Sequence, residues 1–460
     1  MLEEGSREQS TFARFWAKPV TSSSPLKKLH LMFTAPDRFH EPMRIADVTA
    51  FYTPFGGGVR TYVEAKLRAA ARFGHEMIII APGESHQVVK RGPGAFLVTI
   101  PSPKLPVDRR YRYFDDERLI HSTLDAWQPD HVEASSPWSS ATMVGRWQGA
   151  ATRSLFMHAD PLATYAYRWL GGIAPRNAID RLFGRFWRHL RGLGNMFDTI
   201  VCANTDLARR LSEGGISNAE TIRMGVEPGL FSPSLRSSEL RRAALSALGL
   251  NSEALLLLGI GRFSAEKRWE LVLRAAGESG RKLPVGLLLV GDGRTRQKLE
   301  LIAEQYRNVA ILPQIAERAE LASLLASADA LVHGCESETF CLVAAEARAS
   351  GVPLIVPDGG GAADQLVEGA GTTYQSGREQ SLEEAIARFF NRGPELQRAA
   401  AVRASCPRTM DEHFVDLFAH YQSLAPEHVV APAALAVGGA APIFDPLPEV
   451  ALARSPFRLR

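Results

Sequence analysis

Cysteine is scarce in this chain: four of 460 residues, Cys202, Cys335, Cys341 and Cys406. None lies in Cys-x-x-Cys spacing and no histidine cluster accompanies them. That argues against a disulfide framework or a zinc knuckle and for a reducing compartment. No apolar run approaches the roughly 18 residues that a membrane-spanning helix needs. The uncharged stretch 429–444 is shorter and is interrupted by Pro432 and Pro442. The opening Met1-Leu2-Glu3-Glu4 has no apolar core behind it, so no signal peptide is expected. No repeat of fixed period occurs, which argues against solenoids and propellers. Glycine and proline lack a three-residue period, which excludes a collagen-like chain. The expected location is the cytoplasm, with contact to a membrane, if any, peripheral and on the inner face.

What is present describes a globular protein. Hydrophobic residues make up 45% and charged residues 22%, enough apolar content to build packed cores. At about 150 residues per domain, the length calls for two to three domains. The net charge of +3 is unevenly spread. Residues 43–205 carry 20 Lys and Arg against 14 Asp and Glu, and residues 206–460 carry 27 against 31. A basic first half suits an anionic partner, although an excess of six charges also arises by chance.

Short apolar strands alternate with helical patterns along most of the chain. Strands are expected at 45–50, 77–81, 96–100, 131–134, 155–158 and 199–203, then at 255–260, 285–290, 309–312, 330–333 and 353–356. Such alternation predicts α/β architecture, with parallel doubly wound sheets and helices on both faces. The expected organisation is a loose extension (1–42), a first Rossmann-like domain (43–224), a second (225–405), a closing helix (406–425) and a disordered Ala/Pro-rich tail (426–460).

Three segments carry chemistry. Gly56-Gly57-Gly58 stands between a strand and a helix, where backbone can approach a ligand and helix-start amides can meet an anion. A tight turn with no ligand would use glycine as readily. Gly261-Arg262-Phe263-Ser264-Ala265-Glu266-Lys267 follows the first strand of the second half. Arg262 and Lys267 therefore fall at the carboxyl end of a sheet, where open α/β sheets bind ligands, and two cations across a turn suit a diphosphate. The third segment runs from His333 to Glu346, HGCESETFCLVAAE. Glu338 lies at a strand–helix junction and Glu346 about two turns later, among Leu342, Val343, Ala344, Ala345 and Ala347. A carboxylate among apolar neighbours needs a polar ligand, and a ribose supplies two hydroxyls. The amides of Thr339–Leu342 would serve a second group.

These motifs resemble those of the family-4 retaining glycosyltransferases of the GT-B fold, over about residues 43–420. The family's Glu-x7-Glu motif is matched by Glu338 and Glu346. Its Gly-Arg-x-x-x-x-Lys motif is matched by Gly261, Arg262 and Lys267, and its Gly-Gly loop by Gly57 and Gly58. The resemblance implies two Rossmann-like domains facing a cleft and transfer of a hexose from a nucleotide sugar, of UDP-glucose or GDP-mannose type, to a glycan or lipid-linked acceptor in envelope, polysaccharide or glycolipid synthesis. It implies that Arg262 and Lys267 hold the donor diphosphate and stabilise the leaving group. Glu346 would bind the ribose. Glu338, with the amides of Thr339, Phe340, Cys341 and Leu342, would position the donor sugar, and Gly57 and Gly58 would approach the donor. His158, after a first-domain strand, matches a family histidine near the donor sugar and reaction centre; taken alone, such a histidine is more often a plain core or surface residue. Met224-Gly225-Val226-Glu227 resembles the family's Asn-Gly-Val-Asp linker. The chain departs from the family at Thr339 and Cys341, where glycine is common, and at Met224 and Glu227. No Asp-x-Asp triplet occurs, so neither a metal nor any other cofactor is needed to explain the diphosphate site.

Residues 176–191, RNAIDRLFGRFWRHLR, place Ile179, Leu182, Phe183, Phe186, Trp187 and Leu190 at helical spacing among five arginines. Such a helix suits an anionic membrane surface, or packs its apolar stripe on its own domain. The rival functions are a sugar-nucleotide epimerase, a phosphorylase and a non-catalytic sugar-nucleotide binder. A nucleic-acid partner is not expected, because no recognition module accompanies the basic stretch.

Overall fold

The computed structural model describes residues 41–50, 52, 58–106, 109, 111–167 and 175–425. The expected extension (apart from its last residues, 41 and 42), Gly56, Gly57 and the tail 426–460 lie outside the described residues.

Two sheets carry the fold. The first contains β1 (Arg44–Thr49), β2 (Glu76–Gly83), β3 (Gln87–Gly92), β4 (Ala95–Pro101), β5 (His131–Ser135), β6 (Thr152–Met157), β7 (Thr199–Cys202) and β8 (Ala219–Thr221). Its order is β3-β4-β2-β1-β5-β6-β7-β8. Every pairing is parallel except the β3–β4 hairpin at the edge. The second contains β9 (Leu255–Ile260), β10 (Val285–Val290), β11 (Val309–Leu312), β12 (Ala330–Val332), β13 (Leu354–Pro357) and β14 (Gly371–Tyr374). Its order is β11-β10-β9-β12-β13-β14, parallel throughout. Helices cover both faces, so the inner strands read as continuous apolar runs. Leu255–Leu258 and Val285–Val290 are buried along their length.

Strand order fixes where a ligand can enter. In the second sheet the chain winds outward from β9 to β10 and β11, then returns to lay β12 on the other side. The crevice at such a reversal opens beyond the carboxyl ends of the two central strands. Those ends lead into Gly261–Lys267 and into His333–Cys341.

The three strands that the sequence pattern does not yield share one property. β3, β8 and β14 are edge strands or their neighbours, and they lack the apolar runs of the centre. β3 is almost wholly exposed.

The chain crosses between the two sheets twice, and the crossings are bonded to each other. Val226 N donates to Arg408 O at 3.0 Å, and Met410 N donates to Val226 O at 2.7 Å. Gly225 allows this approach, because a Cβ there would lie 2.1 Å from the Thr409 carbonyl oxygen. The last helix, Met410–Leu424, then returns to the first sheet. Phe414, Leu417, Phe418 and Tyr421 pack with Ile45, Tyr62, Val63, Met77 and Phe156 in one core.

The basic stretch 176–191 is not one continuous helix. It forms two, Arg176–Leu182 and Gly184–Gly194, that break at Phe183. Ile179, Trp187 and Leu190 are buried in the first-sheet core, with Phe183 and Phe186 against it. Burying that apolar area gains more than presenting it to water. Arg181, Leu182, Arg185, Arg188 and Arg191 remain exposed. Among the described residues, no helix is long and apolar enough to cross a membrane.

Candidate active site

The crevice of the second sheet brings Lys267 and Glu338 into direct contact. Lys267 closes the 3-10 turn Ala265–Lys267 after β9, and its ammonium donates to Glu338 Oε1. His333, at the end of β12, sets Nε2 3.3 Å from the same oxygen. Burial opposes ionisation of Glu338, but the Lys267 ammonium and His333 outweigh it and hold the carboxyl well below the usual carboxylate range. Burial likewise opposes the Lys267 charge, and Glu338 raises its pKa above that of a free lysine. Both side chains keep about a fifth of their surface exposed (18% and 22%), so a ligand can reach them.

The Glu338 backbone is held by a glycine turn. Gly361 N donates to Glu338 O at 2.7 Å. Gly360 takes a left-handed φ of +79°, and a Cβ there would lie 2.1 Å from Glu336 O. The helix Leu342–Ala349 begins after Cys341, whose φ of 64° and ψ of 72° are also left-handed. A non-glycine residue seldom adopts this conformation. The family's glycine is therefore replaced at a position whose backbone favours glycine.

Glu346 lies in the second turn of that helix and is buried, 6% exposed. Arg318 Nη2 donates to Glu346 Oε1 at 2.8 Å. Burial raises the Glu346 pKa, Arg318 opposes the rise and Glu227 adds to it. Arg318 also lies 5.0 Å over the Phe231 ring. Nothing in the sequence singled out Arg318, because its partners lie 28 and 87 residues away in the chain.

Arg262 behaves differently from Lys267. Its side chain is half exposed and donates to the Tyr111 hydroxyl at 2.9 Å, reaching across to the first sheet's lobe. Two further contacts join the lobes. Thr339 Oγ1 donates to His158 O at 3.0 Å, and Asn204 Nδ2 donates to Thr339 O at 2.5 Å. Asn204 also caps the helix Thr205–Glu213, accepting from Leu207 N. Gly58 opens the helix Gly58–Arg72, and Leu342 Cδ1 lies 3.4 Å from where a Gly58 Cβ would stand. Phe340 O accepts from Gln365 Nε2 at 3.3 Å.

His158 follows β6 and stacks on Phe156 at 4.4 Å. Burial, with the Lys66 charge adding to it, lowers its pKa to about 3, so the ring is neutral. Its Nε2 is buried without a partner among the described residues, and a donor hydroxyl would satisfy it.

His333, Glu338 and Cys341 bring one potential metal-ligand atom each within 4.8 Å of the others. The Lys267 ammonium already occupies Glu338 and repels a cation there.

Two families match the chain: "Glycosyltransferase Family 4" over residues 56–230 and "Glycosyl transferases group 1" over residues 241–404. A GDP-mannose-dependent alpha-(1-6)-phosphatidylinositol dimannoside mannosyltransferase of Mycobacterium tuberculosis is 27% identical over 366 residues, covering 78% of this chain and 91% of the relative. A GDP-mannose-dependent alpha-mannosyltransferase of Corynebacterium glutamicum is 30% identical over 331 residues, covering 71% and 75%. Among solved structures, sucrose-phosphate synthase from Thermosynechococcus elongatus superposes with a TM-score of 0.65 at 19% identity, covering 83% of this chain and 99% of that one. A glycosyltransferase involved in lipopolysaccharide biosynthesis superposes at 0.61 with 18% identity, covering 82% and 99%.

Proposed function

This chain belongs to the family-4 glycosyltransferases, retaining nucleotide-sugar enzymes of the GT-B fold, and within that family we propose that it moves mannose from GDP-mannose to a glycolipid acceptor. The observation that carries the reading is the Lys267–Glu338 pair at the sheet reversal, with buried Glu346 one helix onward and His158 facing from the other lobe. The guanine nucleotide and the mannose rest on the GDP-mannose-dependent mannosyltransferases among the mycobacterial and corynebacterial relatives.

In this reading the lobe 225–405 takes the donor and the lobe 43–224 the acceptor. Glu346 accepts from the ribose hydroxyls. Lys267 and Arg262 meet the diphosphate, Arg262 by exchanging the Tyr111 hydroxyl for a phosphate oxygen. The amides of Thr339–Leu342, with Glu338 and His158 Nε2, orient the hexose. The bond from the anomeric carbon to the phosphate oxygen breaks, and its electron pair stays on that oxygen. The acceptor hydroxyl attacks on the same face and gives its proton to the departing phosphate. Lys267 and Arg262 stabilise the charge that grows on the diphosphate. No step is assigned to a divalent metal.

The test is turnover of GDP-mannose, UDP-glucose and ADP-glucose with a phosphatidylinositol mannoside acceptor, with and without EDTA. Release of GDP that EDTA does not reduce, together with an α-linked product, is expected. Glu346→Gln should raise the donor KM by roughly 10-fold or more, the loss of a hydrogen bond to a charged group. Turnover of UDP-glucose alone would overturn the donor assignment, and loss of activity in EDTA the metal-free one.

A lipid-linked acceptor calls for access to a membrane surface. We propose that the exposed Arg181, Leu182, Arg185, Arg188 and Arg191 lie against anionic lipid on the cytoplasmic face. Arg185→Glu with Arg188→Glu should cut sedimentation with phosphatidylglycerol vesicles severalfold without changing Tm. Unchanged sedimentation would refute the contact.

A further inference from the structure

We infer that His413 is a positioning residue: through Tyr62 it ties the paired crossings between the lobes to His158. The inference rests on the reading that His158 meets the donor sugar.

His413 stands one turn into the last helix, just beyond the point where the two crossings bond to each other. Its Nδ1 lies 3.0 Å from the carbonyl of Arg223, on the outgoing crossing. Its Nε2 lies 3.0 Å from the Tyr62 hydroxyl. A carbonyl only accepts, so Nδ1 carries the proton. Nε2 then accepts, and the Tyr62 hydroxyl is the donor. Both bonds are made by one neutral ring, 0% exposed.

Tyr62 is itself 0% exposed and sits on the helix Gly58–Arg72, which the glycine loop introduces. Its ring meets His158 edge to face at 4.8 Å and Phe156 at 5.2 Å. His158 therefore has aromatic contacts on its sides, while its backbone carbonyl faces Thr339. The link has three members, from different parts of the sequence: Arg223 on the crossing, His413 on the closing helix and Tyr62 on the helix Gly58–Arg72. His413 fixes Tyr62 against the crossing, and Tyr62 fixes the imidazole. Small displacements of a positioned group change turnover steeply: about 1 Å of misplacement can cost about 100-fold.

Tyr62→Phe keeps the ring beside His158 and removes only the hydroxyl. The expected result is a kcat lower by about tenfold, with the dissociation constant for GDP within twofold of wild type. His413→Leu should lower kcat at least as far. His413→Gln should recover most of the loss, because its amide donates to Arg223 and accepts from Tyr62. Ring-nitrogen NMR of ¹⁵N-histidine protein reads the link without turnover: the His158 signals should shift in Tyr62→Phe. If Tyr62→Phe keeps kcat within twofold and leaves the His158 signals in place, His413 only clamps the fold and the inference fails. If GDP-mannose is not turned over by wild type, the donor reading fails and the NMR comparison still decides the link.

Discussion

Replacing Lys267 by alanine is expected to lower kcat by about 10²–10³-fold, and to lower Tm as well, because Glu338 is left without its cation. The ammonium is held in place before the donor arrives, by Glu338 and by the 3-10 turn after β9. A preorganised charge aimed at a departing oxyanion contributes on this scale when one such group is removed. The substitution also changes Glu338. In the intact protein the carboxyl is held low against burial by Lys267 and His333. Its depressed pKa favours the folded state above the usual glutamate range and loses that contribution only as pH falls toward the folded value. Without Lys267, burial prevails and the carboxyl protonates at higher pH. The acid limb of the pH–rate profile should therefore move upward in Lys267→Ala. The double variant Lys267→Ala with Glu338→Gln should lose little beyond the single one, because the two side chains act as a unit. A pH–rate profile with additive losses and an unmoved acid limb would mean that the pair is not part of the chemistry.

Lys66→Met is expected to destabilise the protein by about 3–5 kcal/mol, the cost of leaving buried charge without its partner. Asp47 on β1 and Glu133 on β5 stand directly opposite each other in register, and both are 0% exposed. Lys66 Nζ lies 2.9 Å from Asp47 Oδ2 and 2.6 Å from Glu133 Oε2. The Tyr421 hydroxyl donates to Glu133 as well, which fastens the last helix to the first sheet. Tm of the first lobe should fall by roughly 10 °C, at about 2–4 °C per kcal/mol for a unit of about 150–250 residues. Adding Asp47→Asn and Glu133→Gln to Lys66→Met should restore much of the loss, since uncharged groups need no partner cation. The same cluster sets a pH dependence. Burial, with Asp47 adding and Lys66 opposing, raises Glu133 to about 7. A raised carboxyl favours the folded state below the usual glutamate value and loses that contribution as pH rises through 7. This part of the stability should therefore decline between about pH 4.5 and 7, and Glu133→Gln should remove the slope in thermal scans. A slope that persists in Glu133→Gln would assign it to another group.

The central strands were legible because parallel strands buried on both faces leave unbroken apolar runs, as in Leu255–Ile260 and Val285–Val290. The edge strand β3 was not, because its side chains face water and carry no such run. The Arg176–Arg191 stretch shows the limit of periodicity. Its apolar stripe announces a buried face but does not name what buries it, and the answer is the first-sheet core. Asp47 and Glu133 offered an unused signal, an acid inside an otherwise apolar strand. Arg318 offered none.

Local pattern thus settled the α/β class, the βα turns that end in Arg262 and Lys267, and the eight-residue spacing that sets Glu338 at a loop and Glu346 in a helix. These depend on contacts within a few residues, which the order of side chains encodes directly. The pairing of Lys267 with Glu338 spans 71 residues, that of Thr339 with His158 spans 181, and that of Tyr62 with His413 spans 351. Such distances are closed by strand order, by the two crossings bonded at Val226 and by the return of the last helix, and no local window contains them.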